Sequence, residues 1–370
     1  MHVLTGRQSG RPPGDGRPLL MFGANDYLGL AGDPAVIDGA IGALRIHGLG
    51  HAMNQPFATT PLHHALRERI AAFTGTQGAL LFASCTAANI ALLTTLGREG
   101  TILSDADNHA SIVDGCRLAR AATRVYRSRD PSDLERMLDG AAGPRTVVSD
   151  GVFSVEGGIA PGRDLAAAAR RAGAHLVLDD SHAAGVVGPS GRGTAEACGI
   201  DPGRDVSAIT GTFAKAFGAG GGGYIAGPAD LLAEVRQAAR FYIFSTGMHV
   251  AAVGAALVGV ALAQADHERR ARLNANTARL RAGLAAAGFT LLGGATPITP
   301  ILVGDEGRAR ALAQAAAGRG LVAPAMTWPI VPRGQARLRL QPSAAHTPDD
   351  IDEACAILGQ EGARLDLAAP

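Results

Sequence analysis

Lys215 is the only lysine in a chain of 370 residues whose lysines and arginines number 34 together. The rest of these 34 residues are arginine, which suggests that this one lysine does something a guanidinium cannot. An amine can lose its proton and condense with an aldehyde to a Schiff base, whereas a guanidinium stays protonated. Lys215 is therefore a candidate covalent anchor for pyridoxal phosphate (PLP). On composition alone, the alternative is a leftover surface lysine.

The residues around Lys215 favour a buried cofactor loop. An apolar run at 206–209 precedes the lysine, Thr212 lies three residues before it, and glycines at 220–223 follow it. Glycine allows the backbone conformations that such a loop needs.

A second polar pair follows a predicted strand in residues 175–185, which read HLVLDDSHAAG. A buried aspartate against the pyridine nitrogen of PLP favours the protonated, electron-withdrawing ring. We expect Asp179 to take this position and His182 to reach the phenolic oxygen of the cofactor. A structural pair or a fragment of a metal site is the alternative, but no third ligand follows at a suggestive spacing.

Ser84, Cys85 and Thr86 follow a predicted strand at 79–82 and precede a predicted helix at 87–96. Backbone N–H groups at a helix N-terminus, with hydroxyls beside them, form a binding site for a phosphate. An ordinary Ser/Thr helix cap is the alternative.

His109, Asp150 and Ser154 follow two further predicted strands. His109 could stack on the cofactor ring, although a lone histidine that opens a helix is commonly a cap or surface residue. Asp150 and Ser154 could bond the cofactor or orient a substrate, and each alone would also suit a turn.

Short apolar runs alternate with helical patterns between residues 79 and 227, which is typical of an α/β domain with a mainly parallel sheet. Ligands of such sheets bind at the carboxyl ends of the strands, so the polar clusters can converge on one site. We expect an N-terminal arm at 1–35, a large PLP-binding domain at 36–255 and a small C-terminal α+β domain at 256–370. The predicted strands of the large domain lie at 79–82, 101–103, 123–126, 146–148, 175–178, 206–209 and 223–226.

Composition limits the function classes. A net charge of +1 provides no basic surface for nucleic acid or a membrane. The longest apolar candidate, 250–263, is short for a bilayer and predicts a buried helix. Four scattered cysteines indicate neither a zinc site nor a disulfide framework. We therefore expect no metal site. The first residues do not resemble a signal peptide, so we expect a cytoplasmic protein.

The order and spacing of seven motifs resemble those of the α-oxoamine synthases, which are fold-type I PLP-dependent transferases. The resemblance covers about residues 20–358. The motifs are ANDYLGL at 24–30, NHAS at 108–111, DGVFS at 150–154, LDDSH at 178–182, TFAK at 212–215, FSTGM at 244–248, and ARLRL with AAH at 336–340 and 344–346.

The resemblance implies a role for each matching residue at the PLP ring. Lys215 would hold PLP covalently, Asp179 would pair with the pyridine nitrogen and His109 would stack on the ring. His182 and Ser154 would lie near the phenolic oxygen.

The resemblance also implies that the site is shared in a homodimer. Backbone groups of Cys85 and Thr86, with Thr212, would bind the phosphate of the cofactor. Thr246 matches the residue that reaches this phosphate from the other subunit.

The implied reaction is the condensation of an α-amino acid with an acyl thioester, carried by CoA or an acyl carrier protein, to an α-amino ketone, usually with loss of CO2. Arg339 would bind the carboxylate of the amino acid, a task suited to the bidentate guanidinium, and Asn25 would border the substrate. The open alternatives are an aminotransferase, a glycine C-acetyltransferase working in the breakdown direction, and a cofactor-free binding or regulatory homologue.

Two departures from the family pattern concern the acyl substrate. Residues 51–60 read HAMNQPFATT where the family has a Gly/Ser/Thr/Arg-rich stretch that helps to form the acyl pocket. Thr86 stands where many members have an aromatic residue. The altered 51–60 stretch favours a specialised biosynthetic pathway.

Purified protein mixed with PLP should turn yellow, because the cofactor forms a Schiff base with the Lys215 amine. Borohydride should then fix the cofactor on the single peptide that contains Lys215, which peptide mass spectrometry detects. A colourless mixture, or a label on another peptide, would contradict the assignment of Lys215.

Overall fold

A computed structural model describes residues 3–14, 16–50, 52–294 and 296–367. His51, the first residue of the altered 51–60 stretch, lies outside the described residues. The chain divides into two units. The large unit consists of Asp33–Phe153 and Ile159–Ala265, and the small unit contains the described residues of Met1–Gly32, Ser154–Gly158 and Asp266–Pro370.

The strands of the described residues are β1 (Pro13–Gly14), β2 (Arg17–Pro18), β3 (Leu20–Met21), β4 (Gly78–Phe82), β5 (Thr101–Asp105), β6 (Ala122–Tyr126), β7 (Arg145–Asp150), β8 (His175–Asp179), β9 (Ala208–Thr212), β10 (Gly223–Gly227), β11 (Thr299–Gly304), β12 (Leu321–Val322), β13 (Ala325–Met326) and β14 (Ala336–Leu340). The helices are α1 (Pro34–His47), α2 (Pro61–Thr74), α3 (Cys85–Leu96), α4 (Ala110–Ala119), α5 (Pro131–Asp139), α6 (Gly162–Arg171), α7 (Thr194–Cys198), α8 (Ala229–Ala238), α9 (Arg240–Ile243), α10 (Val250–Ala265), α11 (His267–Ala286), α12 (Glu306–Gly318) and α13 (Pro348–Arg364).

The large unit contains a seven-stranded sheet in the order β4-β10-β9-β8-β7-β5-β6. The five strands β9, β8, β7, β5 and β6 are parallel to one another, whereas β10 is antiparallel to both β4 and β9. The mainly parallel α/β fold predicted from the sequence is therefore confirmed. A strand such as β8 reads as a continuous apolar run, with Leu176, Val177 and Leu178 all buried, because helices cover both faces of a parallel sheet.

The direction of β10 follows from its connection to β9. Parallel neighbours need a crossover connection, usually a helix, whereas antiparallel neighbours can be joined by a short loop. Residues 213–222 join β9 to β10 without a helix and carry Lys215. The loop that carries the lysine is therefore anchored at both of its ends by adjacent strands of the sheet.

The small unit contains an antiparallel sheet in the order β11-β14-β13. The apolar core of the small unit includes Ile301 of β11 and Leu338 of β14 on the sheet. Helices cover them with Leu280 of α11, Leu312 of α12 and Ile357 of α13. In the same unit the fully buried Arg337 forms an ion pair with Glu156, which fastens the 154–158 segment to β14.

The helix expected at 250–263 is α10, which packs against α1 and α2 within the large unit. The described residues include no single helix that is long and apolar enough to cross a membrane. The pair α10 and α11 passes that test on length and composition together, but it bends by 76° at the break.

Element boundaries differ most from expectation at β9. The strand expected at 206–209 runs from Ala208 to Thr212. Hydrophobic patterning misses the polar end of this strand because Thr210 and Thr212 are buried in the sheet despite their hydroxyls.

Asp180 follows β8 and is buried; the backbone N–H of Thr194 donates to its Oδ2 at 3.0 Å. Burial raises the pKa of Asp180 to about 7, partly offset by hydrogen bonds from Thr194. A raised pKa contributes stability that is complete below the unfolded-state pKa of about 3.9 and is lost as pH rises through the folded-state value.

Between pH 4 and pH 8, the unfolding free energy of the natural protein should therefore fall by about 1–4 kcal/mol more than that of Asp180→Asn. Urea denaturation of both proteins across this range measures the difference. A constant difference would show that Asp180 titrates normally in the folded protein.

Candidate active site

A cavity of about 220 Å³ lies in the large unit, where the carboxyl ends of β7, β8 and β9 meet the N-terminus of α3. Its position agrees with the general location of ligands in open α/β sheets. The lining residues are Ser84, Cys85, Thr86, His109, Ser111, Asp150, Val152, Asp179, Ser181, His182, Thr212 and Lys215.

Lys215 contacts a second titratable group in this cavity. Its Nζ atom lies 2.8 Å from Nε2 of His182. A lysine ammonium can only donate, so a protonated Lys215 places the proton of a neutral His182 on Nδ1. The contact gives the amine a neighbour with which it can exchange a proton.

Asp179 ends β8 and is 4% exposed. The backbone N–H of Ser181 donates to Oδ1 at 2.8 Å, and the side-chain amide of Asn89 donates to Oδ2 at 2.6 Å. An ionised carboxylate can accept both of these hydrogen bonds. The two donors also fix the plane of the carboxylate.

Cys85 lies beside this carboxylate, with Sγ 3.7 Å from Oδ2 of Asp179. Burial, with a further contribution from the negative charge of Asp179, raises the pKa of the Cys85 thiol well above its ordinary value. The thiol is therefore neutral at physiological pH and does not compete with Lys215 as a nucleophile.

His109 is the N-cap residue of α4. Its Nδ1 accepts from the backbone N–H of Ser111 at 3.2 Å and lies 2.8 Å from the Ser111 hydroxyl. Burial lowers the pKa of His109, so its imidazole is neutral near pH 7. A neutral ring suits stacking on an aromatic cofactor.

Asp150 ends β7 and pairs in register with Asp179 on the adjacent strand β8. Burial, reinforced by the charge of Asp179, raises the pKa of Asp150 well above its ordinary value, which favours the neutral carboxylic acid. Its Oδ2 is buried without a hydrogen-bond partner among the described residues. The acid can therefore donate to or accept from a bound group.

The N-terminus of α3 is capped by Ser84, whose hydroxyl accepts from the Ala87 N–H at 3.2 Å. This end of the helix packs tightly on the start of β10. A Cβ atom on Gly223 would lie 2.3 Å from the backbone nitrogen of Cys85. Glycine at 223 is thus required for the close approach of strand and helix that shapes the expected phosphate site.

The cavity brings together most of the residues predicted to bind the cofactor: Ser84, Cys85, Thr86, His109, Asp150, Asp179, His182, Thr212 and Lys215. Thr246 lies instead at a second cavity of the large unit, of about 380 Å³, with Gln55, His63 and Met248. Ser154, Asn25 and Arg339 belong to the small unit, where Nη2 of Arg339 donates to Oδ1 of Asn25 at 3.2 Å.

Sequence reasoning assigned no role to Asn89, Ser111 and Ser181, which contact Asp179 or His109 directly. Asn89 had one visible signal, since it is a polar residue inside the apolar helix α3. Among the described residues no group of three or more His, Cys, Asp or Glu side chains is arranged to hold a metal ion.

These residues fit PLP. Lys215 would be the partner of the aldehyde carbon, and Asp179 that of the pyridine nitrogen. The N-terminus of α3 would bind the phosphate. The polar groups of Asp150 and His182 would be partners for the phenolic oxygen. The unsatisfied Oδ2 of Asp150 indicates a further polar partner in the cavity, because buried polar atoms are normally hydrogen-bonded.

The fold and this cavity define a fold-type I PLP-dependent enzyme. Residues 17–358 match the family model for aminotransferase class I and II. The chain is 41% identical to 8-amino-7-oxononanoate synthase of Marinobacter nauticus over 99% of this chain and 93% of the relative. It is 40% identical to 2-amino-3-ketobutyrate coenzyme A ligase of Salmonella typhimurium with the same coverage.

A solved serine palmitoyltransferase from S. paucimobilis, with PLP and myriocin bound, superimposes with a TM-score of 0.94 at 30% identity, covering 99% of this chain and 93% of that one. The chain belongs to the aminotransferase class I and II family and, within it, to the PLP-dependent acyltransferases known as α-oxoamine synthases.

Gly223→Ala should weaken PLP binding and destabilise the protein, because the new methyl group would overlap the backbone of Cys85 at the N-terminus of α3. A cost of about 1–3 kcal/mol is expected for overpacking. Gly221→Ala is the matched control, since a Cβ there meets no atom within 4 Å. Absorbance titration with PLP and thermal melting compare the two; equal behaviour would contradict the role given to this contact.

Proposed function

We propose that the protein condenses an α-amino acid with an acyl thioester to give an α-amino ketone, with PLP as cofactor. The observation that supports this most directly is the cavity in which the single lysine amine lies with Asp179, His109 and His182. The sequence relatives named above support the same reaction class.

Bound PLP would supply an electron sink for the carbanion formed when the amino acid loses its Cα proton. Asp179, which accepts hydrogen bonds from Asn89 and Ser181, would pair with the ring nitrogen and favour its protonated form. Lys215 would hold the cofactor, and its amine would serve as the general base that takes the Cα proton of the amino acid. His182, 2.8 Å from the Lys215 amine, orients that amine for the proton transfer.

We assign the carboxylate of the amino acid to Arg339. Its guanidinium is largely buried, and its Nε has no hydrogen-bond partner among the described residues. A buried donor without an acceptor is costly, and a carboxylate would satisfy it with a charge-assisted bond. Asn25 positions the guanidinium by accepting from Nη2.

The acyl donor is a CoA or acyl-carrier-protein thioester in this proposal. The relatives differ at this point, since one is named a synthase of 8-amino-7-oxononanoate and the other a coenzyme A ligase of 2-amino-3-ketobutyrate, at nearly equal identity. The second name makes a glycine C-acetyltransferase working in the breakdown direction the alternative candidate. The altered 51–60 stretch favours a donor specific to a specialised pathway.

We further propose a homodimer in which Thr246 contacts the cofactor phosphate of the partner subunit. Thr246 lies outside the PLP cavity of its own subunit and beside an open, mostly apolar cavity. Leu49 lines this second cavity and is 72% exposed, and Phe57 and Phe244, which lie within two residues of lining residues in the sequence, are 79% and 67% exposed. Exposed apolar groups of this size indicate a contact surface.

A cytoplasmic location stays a prediction.

The proposed function is tested by Cα-proton exchange and by thiol release. With PLP and the correct amino acid, the protein should exchange the Cα proton for deuterium, and a matching thioester should release its thiol. Lys215→Arg should lose exchange by at least a hundredfold, because general acid–base catalysis contributes on the order of 10²–10⁴. Arg117→Lys, at a surface position 75% exposed, is the control for the introduction of an ordinary lysine and should retain exchange.

Small amino acids should be screened against acyl-CoA and acyl-carrier-protein donors. Exchange without thiol release from any donor would leave the PLP assignment intact and exclude the acyltransferase reaction. Absence of exchange with every amino acid would contradict both.

Mixing inactive Lys215→Ala protein with inactive Thr246→Ala protein should restore part of the activity. A mixed dimer has one site with both natural residues if Thr246 acts across the interface. Size-exclusion chromatography should show a dimer at assay concentration. A fully active monomer, or no recovery after subunit exchange is demonstrated, would refute the shared site.

A further inference from the structure

Asn89 is the residue in which the contacts of Asp179 and His109 meet. It lies on α3, is 2% exposed, and its side-chain nitrogen has two contacts. One is Oδ2 of Asp179 at 2.6 Å and the other is the hydroxyl of Ser111 at 2.9 Å. The Ser111 hydroxyl in turn lies 2.8 Å from Nδ1 of His109.

The orientation of the Asn89 amide is determined by its neighbour. An ionised carboxylate only accepts hydrogen bonds, so the NH2 group of Asn89, and not its oxygen, must face Asp179. The amide nitrogen has a second hydrogen, and this one is directed to the Ser111 oxygen. One planar group therefore uses both of its hydrogens on the two branches of the network.

The direction of the next bond follows from the backbone. The N–H of Ser111 donates to Nδ1 of His109, which makes Nδ1 an acceptor without a proton. Since the Ser111 oxygen already accepts from Asn89, its own hydrogen is free to donate to the same Nδ1. The neutral imidazole of His109 must then carry its proton on Nε2.

We propose that Asn89 is a positioning residue that fixes both the carboxylate of Asp179 and, through the Ser111 hydroxyl, the ring orientation of His109. This inference rests on the proposed function, in which Asp179 pairs with the ring nitrogen of PLP and His109 covers the ring face. Asn89 touches neither the cofactor nor the substrate in this role. Asn89 couples Asp179, at the edge of the PLP ring, to His109, on the face of that ring.

The loss of Asn89 should affect the two branches differently. Asp179 would keep the Ser181 N–H and the Cys85 thiol, which is a weak donor, so its negative charge and its plane would be less well held. The Ser111 hydroxyl would lose its donor and could turn away from His109. Ser111→Ala removes the hydroxyl contact to His109, keeps the backbone N–H that donates to Nδ1, and leaves the donors of Asp179 in place.

The variants Asn89→Leu, Asn89→Asp and Ser111→Ala separate these effects. Leucine has a similar size and no donor. Aspartate has nearly the same shape but presents a second negative charge to Asp179, and only its protonated form can donate. Thr95→Val is the control, since Thr95 is buried on the same helix and its hydroxyl bonds only the Ala91 carbonyl of that helix.

The measurements are the affinity for PLP by absorbance titration, its pH dependence, the pH midpoint of the visible spectrum of the bound cofactor, and the melting temperature of the cofactor-free protein. Asn89→Leu should weaken PLP binding by about tenfold or more, as expected for a lost hydrogen bond to a charge, and should shift the spectral midpoint. The affinity of Asn89→Asp should recover as pH falls. Ser111→Ala should bind PLP within about threefold of the natural protein yet exchange the Cα proton up to about tenfold more slowly, as expected for one lost neutral hydrogen bond.

Thr95→Val should lower the melting temperature without a change in PLP affinity or in the spectral midpoint. The inference is overturned if Asn89→Leu behaves in the same way, or if the affinity of Asn89→Asp does not depend on pH more than that of the natural protein. If the natural protein itself binds no PLP, the proposed function fails and the inference fails with it. The two failures are thus distinguished by the natural protein alone.

Discussion

The site depends on one buried charge, the carboxylate of Asp179 at the end of β8. A carboxylate removed from water is stable only if it is hydrogen-bonded or paired, because its desolvation is costly. Ser181 and Asn89 supply two donors, and a protonated ring nitrogen would supply the opposite charge. Burial, with a further contribution from the same negative charge, raises the pKa values of its neighbours Asp150 and Cys85.

The sheet explains why these groups meet. The parallel strands β7 and β8 end side by side at Asp150 and Asp179, and β9 ends at Thr212 just before the segment that carries Lys215. Gly223 then lets β10 approach the N-terminus of α3, which brings the phosphate site to the same edge. The chemical groups come from segments far apart in sequence, and the apolar strands hold them within hydrogen-bonding reach.

Sequence patterning predicted most of the large unit because buried parallel strands are apolar runs and the polar clusters directly follow them. It did not predict the antiparallel direction of β10, since an apolar run carries no information on direction. It also missed the two-residue strands β12 and β13, which are too short for a periodic pattern. Asn89 and Ser111 were missed for a different reason: their roles arise from contacts between α3, α4 and β8, which spacing along one segment cannot reveal.

If Asp179 is responsible for a protonated ring nitrogen in bound PLP, this proton can be observed directly. The natural protein and Asp179→Asn should be loaded with PLP labelled with ¹⁵N in the ring, and the ¹⁵N chemical shift recorded near neutral pH. We expect the shift of a protonated pyridine nitrogen in the natural protein and that of a neutral one in Asp179→Asn. A neutral ring nitrogen in the natural protein, or the same shift in both proteins, would contradict this role of Asp179.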